Sequence, residues 1–256
     1  MFTQLKALKT KKGRDEQGLF IVEGEKFVAE IPQDWRIRHY LCSESYLNSA
    51  MGNSAKAAKF KRAPLITVSD SRFASLSDTK SPQGLMAICE KRTFSISELL
   101  AETEEAKPFL LIGECLSDPG NIGTLIRTAA AAGAGAVILS AGSGDVYNPK
   151  TIRSAAGASL RIPVIEGADL NEVIPLLKQR GLLILAAQLQ AAVLPYDLDL
   201  SQSLAILIGN EAHGLSDELS RLADVAVKLP MAQGIESLNA SVAGGVLLYE
   251  VIRQRL

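Results

Sequence analysis

Histidine, cysteine and aromatic residues are scarce in this 256-residue chain, and each scarcity removes a kind of chemistry. Only His39 and His213 are present, too few for a histidine-rich metal centre or a Ser-His-Asp triad, so no metal is expected. Three cysteines, Cys42, Cys89 and Cys115, show neither CxxC spacing nor dense pairing, which fits a reducing cytoplasmic compartment. Cys115 is expected to be an ordinary buried thiol. The longest apolar runs, such as Leu182 to Ala187, are far too short to span a bilayer. The basic start MFTQLKALKTKKGR lacks the apolar centre of a secretory signal. No P-loop, GxSxG or HExxH occurs. Gly142-Ser143-Gly144 begins a dinucleotide fingerprint, but Tyr147 stands where its third glycine belongs.

What remains is a soluble-type composition, 47% hydrophobic, sufficient to bury one large core or two smaller ones. Its net charge of −1 hides an uneven distribution. Residues 1–92 hold 16 Lys and Arg against 10 Asp and Glu, an excess of six positive charges. The remainder holds 11 against 18, an excess of seven negative charges. A basic leading half joined to an acidic half suggests that the first meets a polyanion.

The leading part reads as a small α/β domain. Gln4 to Lys11 suits a helix, Gly18 to Val22 a strand and Glu23 to Glu30 a helix. Further strands are expected at Arg38–Cys42, Leu65–Val68 and Leu85–Cys89. Residues 93–107 are charged and poor in large side chains, and Pro108 precedes a new strand, so they read as a linker. From there strands alternate with helices. Strands are expected at Phe109–Gly113, Ala136–Ser140, Leu183–Ala187, Leu204–Ile208 and Val225–Leu229. Helices are expected at Ile122–Ala132, Pro149–Ala158, Leu170–Arg180, Asp217–Ala223 and Leu238–Gln254. That rhythm implies a mostly parallel sheet covered on both faces. The division expected is residues 1–92, a linker at 93–107, and 108–256.

Three segments place polar residues and glycines just after strand-like runs, where α/β proteins build ligand sites. The first is DPGNIGTLIRTAAAAG, Asp118 to Gly133, in which Asn121 suits a helix cap and Arg127 lies one turn on, against the helix dipole. The second is LIGNEAHGLS, Leu207 to Ser216, where Gly209 leaves room for a ligand and Ser216 caps the next helix. The third is LPMAQGIESLNASVAGG, Leu229 to Gly245, in which Ser237, Leu238 and Asn239 open the last helix. Small residues there, Ala240, Ala243, Gly244 and Gly245, permit close backbone approach.

In order and wording, these segments resemble the SpoU (TrmH-like) family of RNA ribose 2′-O-methyltransferases. The likeness runs from Phe109 to Leu256, with a looser match over KKGRDEQGLFIVEGEKFVAE, Lys11 to Glu30. It implies a C-terminal α/β-knot domain with a deep trefoil knot, preceded by a small substrate-binding domain of ribosomal-protein-L30e/L7Ae-like α/β fold. It implies S-adenosylmethionine as cofactor and a homodimer through the C-terminal domain, with the site completed across the interface. Arg127 is then the catalytic arginine, holding the phosphate beside the 2′-hydroxyl with some role in its deprotonation. Asn121, Glu211, Ser237 and Asn239 join it, with Glu211 serving the RNA side.

Ile208, Gly209, Leu229, Met231, Ser237 and Leu238 form the expected cofactor pocket, Leu229 and Leu238 enclosing the adenine faces. Asn210 and Gly214 match the family as well, whereas His213 is expected to be a surface residue. The segment from Tyr147 to Gly157 also resembles the family and offers Arg153 and Ser154 as RNA-side or dimer candidates. Lys11, Lys12 and Arg14 are the expected RNA contacts of the basic half. Ribosomal RNA, 23S above all, is the expected substrate, with no DNA and no membrane involved. Transfer RNA methylation and a non-catalytic RNA-binding or ribosome-assembly role are the alternatives.

Overall fold

The computed structural model describes residues 2–51, 61–102 and 107–256. They form two compact units, Met1–Arg92 with Tyr147–Leu160, and Thr93–Val146 with Arg161–Leu256. None of the described helices is long and apolar enough to cross a membrane.

The leading unit is built on four strands, β1 (Leu19–Glu23), β2 (Ile37–Ser43), β3 (Leu65–Val68) and β4 (Leu85–Glu90), in the order β1-β4-β2-β3. β4 runs antiparallel to both β1 and β2, while β3 is parallel to β2. Strand alternation sends Phe20, Val22, Ala87 and Cys89 to one face and Ile21, Met86 and Ile88 to the other. Helices Phe2–Ala7 and Asp70–Leu76 cover the second face with Leu5, Phe73 and Leu76. Cys42 and Cys89 lie in the first-face core, where burial pushes the Cys89 thiol up to about 12.

The helix expected over Gln4–Lys11 is two helices, Phe2–Ala7 and Lys11–Gln17. Thr10 breaks it by adopting an extended backbone and accepting the Gly13 N–H at its hydroxyl (3.1 Å). The turn is tight enough that a Cβ on Gly13 would lie 2.1 Å from the Ala7 carbonyl oxygen.

The first-face core is completed from far along the chain. Tyr147, Ile152 and Leu160 pack among Phe20, Trp35 and Cys89. The Tyr147 ring lies 4.6 Å from that of Phe20, and its hydroxyl donates to the Arg92 carbonyl (2.8 Å) and accepts the Arg92 N–H (3.1 Å). The Trp35 indole N–H donates to the Leu160 carbonyl at 2.7 Å. Helix Pro149–Ala155, capped by Asn148, spans this segment.

The second unit holds six strands, β5 (Phe109–Gly113), β6 (Ala136–Ser140), β7 (Val164–Ala168), β8 (Leu183–Ala187), β9 (Leu204–Ile208) and β10 (Val225–Val227). All pair in parallel in the order β10-β8-β9-β5-β6-β7. β5, β6 and β9 are buried at every position, as a sheet covered on both faces requires. β7 was not anticipated, because VIEGA carries Glu166 and Gly167 among its five residues. The segment read as a linker contains helix Ile96–Glu102, whose Leu99 and Leu100 sit in this unit's core, while residues 103–106 lie outside the described residues. Chain order reverses between β5 and β9, so the loops leaving their carboxyl ends emerge side by side, the place where such sheets bind ligands.

Tyr147→Ala removes a nearly buried ring and leaves both Arg92 backbone groups unpaired. It is expected to cost about 3–5 kcal/mol in urea unfolding, whereas Tyr147→Phe costs about 1–3 kcal/mol. A loss under about 1 kcal/mol for the alanine variant would show that the leading unit does not depend on this segment.

Candidate active site

Three loops meet at the carboxyl end of the β5–β9 pair. The first leaves β5 and enters helix Pro119–Ala131. Its N-cap is Asp118, not Asn121, because Pro119 fixes the first helical residue and the Asp118 carboxylate accepts the Asn121 N–H (2.9 Å). That leaves the Asn121 side chain free to bond elsewhere. Cys115, in the same loop, is exposed rather than buried and adopts a left-handed φ of 47°. The turn brings its N–H to Ser140 Oγ (2.8 Å) and its carbonyl to the Asn210 amide (2.7 Å).

The second loop leaves β9 and closes on itself, Asn210 and Gly214 exchanging backbone hydrogen bonds in both directions. Gly209 is required by this closure. A Cβ there would lie 2.2 Å from the Gly214 carbonyl carbon, so the space it vacates is filled by the loop, not by a ligand as the sequence suggested. Asn210 Oδ1 accepts the N–H groups of Ala212 and His213 (2.9 and 3.2 Å). His213 is exposed.

The third loop precedes helix Ala240–Arg255. Ser237 and Leu238 lie before that helix instead of opening it, and Asn239 is its N-cap, with Oδ1 accepting from Ser241 N (2.9 Å), Ser241 Oγ (2.6 Å) and Val242 N (3.3 Å). The helix lies close on Pro119–Ala131, where a Cβ on Gly244 would come within 2.5 Å of Leu125 Cδ2.

A line of side-chain hydrogen bonds joins the three. Asn239 Nδ2 donates to Asn121 Oδ1 (2.8 Å), and Asn121 Nδ2 donates to Glu211 Oε1 (3.0 Å). Glu211 also accepts the Ser117 N–H and hydroxyl (3.3 and 3.2 Å) and the Asp118 N–H (3.3 Å). Partial burial alone would raise its carboxyl pKa, but the Asn121 amide and the loop N–H groups outweigh that and hold it below the usual carboxylate value. Glu211 is therefore an ionised anchor of the first loop, its four donors leaving it little capacity to serve RNA directly.

Beside this line lies a cleft of about 570 Å³, within the range of small-molecule sites. Ile208, Gly209, Leu229, Met231, Ser237 and Leu238 all line it. Leu189 and Leu238, also on its walls, are 58% and 40% exposed, apolar surface without a partner. Of its charged lining groups, Glu211 and Asp217 outnumber Lys228, so the cleft suits a neutral or cationic ligand better than a polyphosphate. An adenosyl ligand with a sulfonium centre fits that description.

Arg127 does not line the cleft, and its side chain joins no hydrogen bond or ion pair among the described residues. It sits past the middle of the 13-residue helix, where the dipole no longer opposes it, so the sequence expectation of a penalty there does not hold. Arg14 corrects another expectation. It is 2% exposed and donates from Nη1 to the Leu8 carbonyl (2.6 Å), closing the end of the first helix, and cannot touch RNA. Lys11 and Lys12 are exposed, Lys12 within 3.8 Å of Glu16. Arg153 is half-buried and paired with Asp78 at 2.7 Å. Ser117 and Asp118, which complete the Glu211 anchorage, were missed as site residues; their place beside Asn121 in the first motif was the available signal.

A parallel sheet with a nucleoside-sized cleft at the carboxyl ends of β8, β9 and β10, beside three cross-linked loops, defines an α/β enzyme. Residues 108–249 match the SpoU rRNA Methylase family, and residues 3–87 match the MRM3-like substrate binding domain. The chain belongs to the SpoU rRNA methylase family. It is 33% identical over 248 residues to the 23S rRNA (guanosine(2553)-2'-O)-methyltransferase RlmP of Bacillus subtilis, covering 96% of this chain and 93% of that protein. The AdoMet-bound rRNA methyltransferase from Sinorhizobium meliloti shares the fold at a TM-score of 0.85 with 29% identity, over 100% of this chain and 95% of that one. The SpoU methyltransferase AviRb from Streptomyces viridochromogenes, in complex with AdoMet, does so at 0.87 with 26% identity, over 99% and 97%.

Because the Glu211 pKa is depressed on folding, its stabilising contribution is full above the ordinary carboxylate value, about 4.3, and fades as pH falls through the lower folded value. The melting-temperature gap between wild type and Glu211→Gln should hold steady from neutral pH to about 5 and shrink on further acidification. A gap that persists unchanged to about pH 3 would show that the charge does not fasten the loop.

Proposed function

We propose that this protein is an S-adenosylmethionine-dependent methyltransferase acting on a ribose 2′-hydroxyl of ribosomal RNA, most specifically 23S rRNA, in the cytoplasm. The observation that carries this reading is the Asn239–Asn121–Glu211 line, which ties the family's three motifs together beside a cleft suited to a neutral or cationic ligand. Family membership and the rRNA specificity of the relative from Bacillus subtilis support it over transfer RNA or a non-catalytic role. The trefoil knot belongs to the same proposal and is supported by the family alone.

S-adenosylmethionine, when bound, supplies an electrophilic methyl group on a positive sulfur. Leu229 and Leu238 would hold the adenine faces, and Ile208, Gly209, Met231 and Ser237 would hold its polar edges. Asn121, Glu211 and Asn239 hold the loops at fixed separation, which would orient the attacking hydroxyl toward the methyl donor. Arg127, unpaired and exposed, grips the phosphate beside the target ribose as a bidentate fork. Lys11 and Lys12 contribute phosphate contacts from the basic leading unit, and Arg153 steadies that unit through Asp78.

The working form is a homodimer. On the last helix Val242, Val246 and Tyr249 form one exposed stripe, 50%, 39% and 54% accessible. Its i, i+4, i+7 spacing is that of a helix face with a partner. The stripe borders the arginine-bearing helix, since a Cβ on Gly245 would contact Thr128 at 3.5 Å. A second copy seated there would bring Arg127 to a shared site. Val246→Asp with Tyr249→Asp should convert the dimer into a monomer of 27.3 kDa in sedimentation and abolish methyl transfer. A wild type that is monomeric and fully active would refute the assembly.

Mass-spectrometric mapping of ribose methylation in cells with and without the protein tests the reaction. One 23S 2′-O-methyl group should vanish with the protein and fail to return when Arg127→Ala is supplied. In calorimetry that variant should keep S-adenosylhomocysteine affinity within a few-fold. Loss of a base methyl instead would overturn the chemistry, and normal methylation by Arg127→Ala would overturn the arginine's role.

A further inference from the structure

We propose that Arg36 and Arg38, held side by side by Glu90, form a two-pronged contact for neighbouring RNA phosphates on the leading unit. This inference rests on the RNA methyltransferase reading and identifies where that unit grips its substrate.

Most arginines of this unit are committed to its own structure. Arg14 is buried against the Leu8 carbonyl, and Arg62 donates to the carbonyls of Ile31, Pro32, Gln33 and Trp35. Arg92 pairs with Asp34 and lies over the Trp35 ring at 4.7 Å. Arg36 and Arg38 are different, with side chains 71% and 50% exposed. Both reach the same atom, Glu90 Oε1, at 3.4 and 3.3 Å. One carboxylate between two guanidiniums leaves an excess positive charge and most of their N–H donors free. Exposed pairs of this kind are weak and exchange readily for a stronger anion. A phosphate accepts a guanidinium through two parallel hydrogen bonds, which a carboxylate oxygen shared between two arginines does not offer.

The backbone presents the pair deliberately. In the β2–β4 ladder Ile37 faces Cys89 and His39 faces Ile88, so Arg38 is the extra residue of a β-bulge. Such bulges re-aim side chains and recur beside functional surfaces. β3 begins to pair with β2 only at Tyr40, so on that side the Arg36–Arg38 stretch has no strand beside it among the described residues. Glu90 holds both forks in neighbouring positions before RNA arrives, which lowers the ordering cost of binding. Two neighbouring guanidiniums serve neighbouring phosphates of one strand, contacts that fix register and orientation without reading base identity.

The test is a salt titration of binding to a 23S rRNA transcript between roughly 0.05 and 0.2 M salt, with wild type, Arg36→Gln/Arg38→Gln and Arg36→Lys/Arg38→Lys. The glutamine variant should reduce the slope of log K against log salt by roughly 2, one per lost phosphate contact. The lysine variant should retain the slope but bind more weakly than wild type, because it keeps the charge and loses the fork. S-adenosylhomocysteine affinity and melting temperature should be unchanged in both, which excludes misfolding. A glutamine variant with the wild-type slope would overturn the proposal and leave the methyltransferase reading intact. A wild-type protein that neither binds nor methylates the transcript would sink the functional reading and this surface with it.

Discussion

The catalytic unit depends on one carboxylate. Glu211 stands at the end of β9 and accepts hydrogen bonds from Asn121, Ser117 and Asp118, all on the loop that leaves β5. That bonding is possible only because β9 inserts directly beside β5, placing two loops separated by about ninety residues of chain in contact. Asn239 extends the connection to the last helix while capping it. Each residue therefore serves two elements at once, and loss of any one would loosen both a helix terminus and the cleft wall. Such shared polar networks rigidify a site when every member is satisfied.

The sheet of the second unit was legible because buried parallel strands are short unbroken apolar runs, and FLLIG, AVILS, LILAA and LAILI are such runs. Val164–Ala168 escaped because Glu166 and Gly167 interrupt its pattern. The cleft residues were legible through their motifs, and all six expected there share one cavity. Their bonding was not. Whether Asn121 caps its own helix or reaches across to Glu211 depends on Pro119 and Asp118 taking the cap first, a competition settled only in three dimensions. Arg14 shows the same limit, since nothing in KKGRDEQ marks which of its cations turns inward. Gly13 lets the two leading helices cross at contact distance, and Arg14, the next residue, is carried into the gap.

The two units also differ in how they handle charge. In the leading unit, arginines are used as structural donors to carbonyls and aromatic rings, and the few left over are presented to solvent. In the second unit carboxylates outnumber cations around the cleft, and Arg127 lies outside it. The exposed arginines of the leading unit attract a polyanion, and the carboxylates of the cleft in the second unit do not.

The return of Tyr147–Leu160 into the leading unit bears on how the chain is made. Domains on a ribosome usually finish in order, the first closing while the second is still being synthesised. Here the first face of the leading sheet keeps Phe20 and Trp35 without their partners until Tyr147 and Leu160 have emerged. By then β5, helix Pro119–Ala131 and β6 have all been made. The amino-terminal half thus begins early and ends late, waiting for a piece of its successor, and a gene cut cleanly at residue 92 would encode all four strands with one face of their core left open.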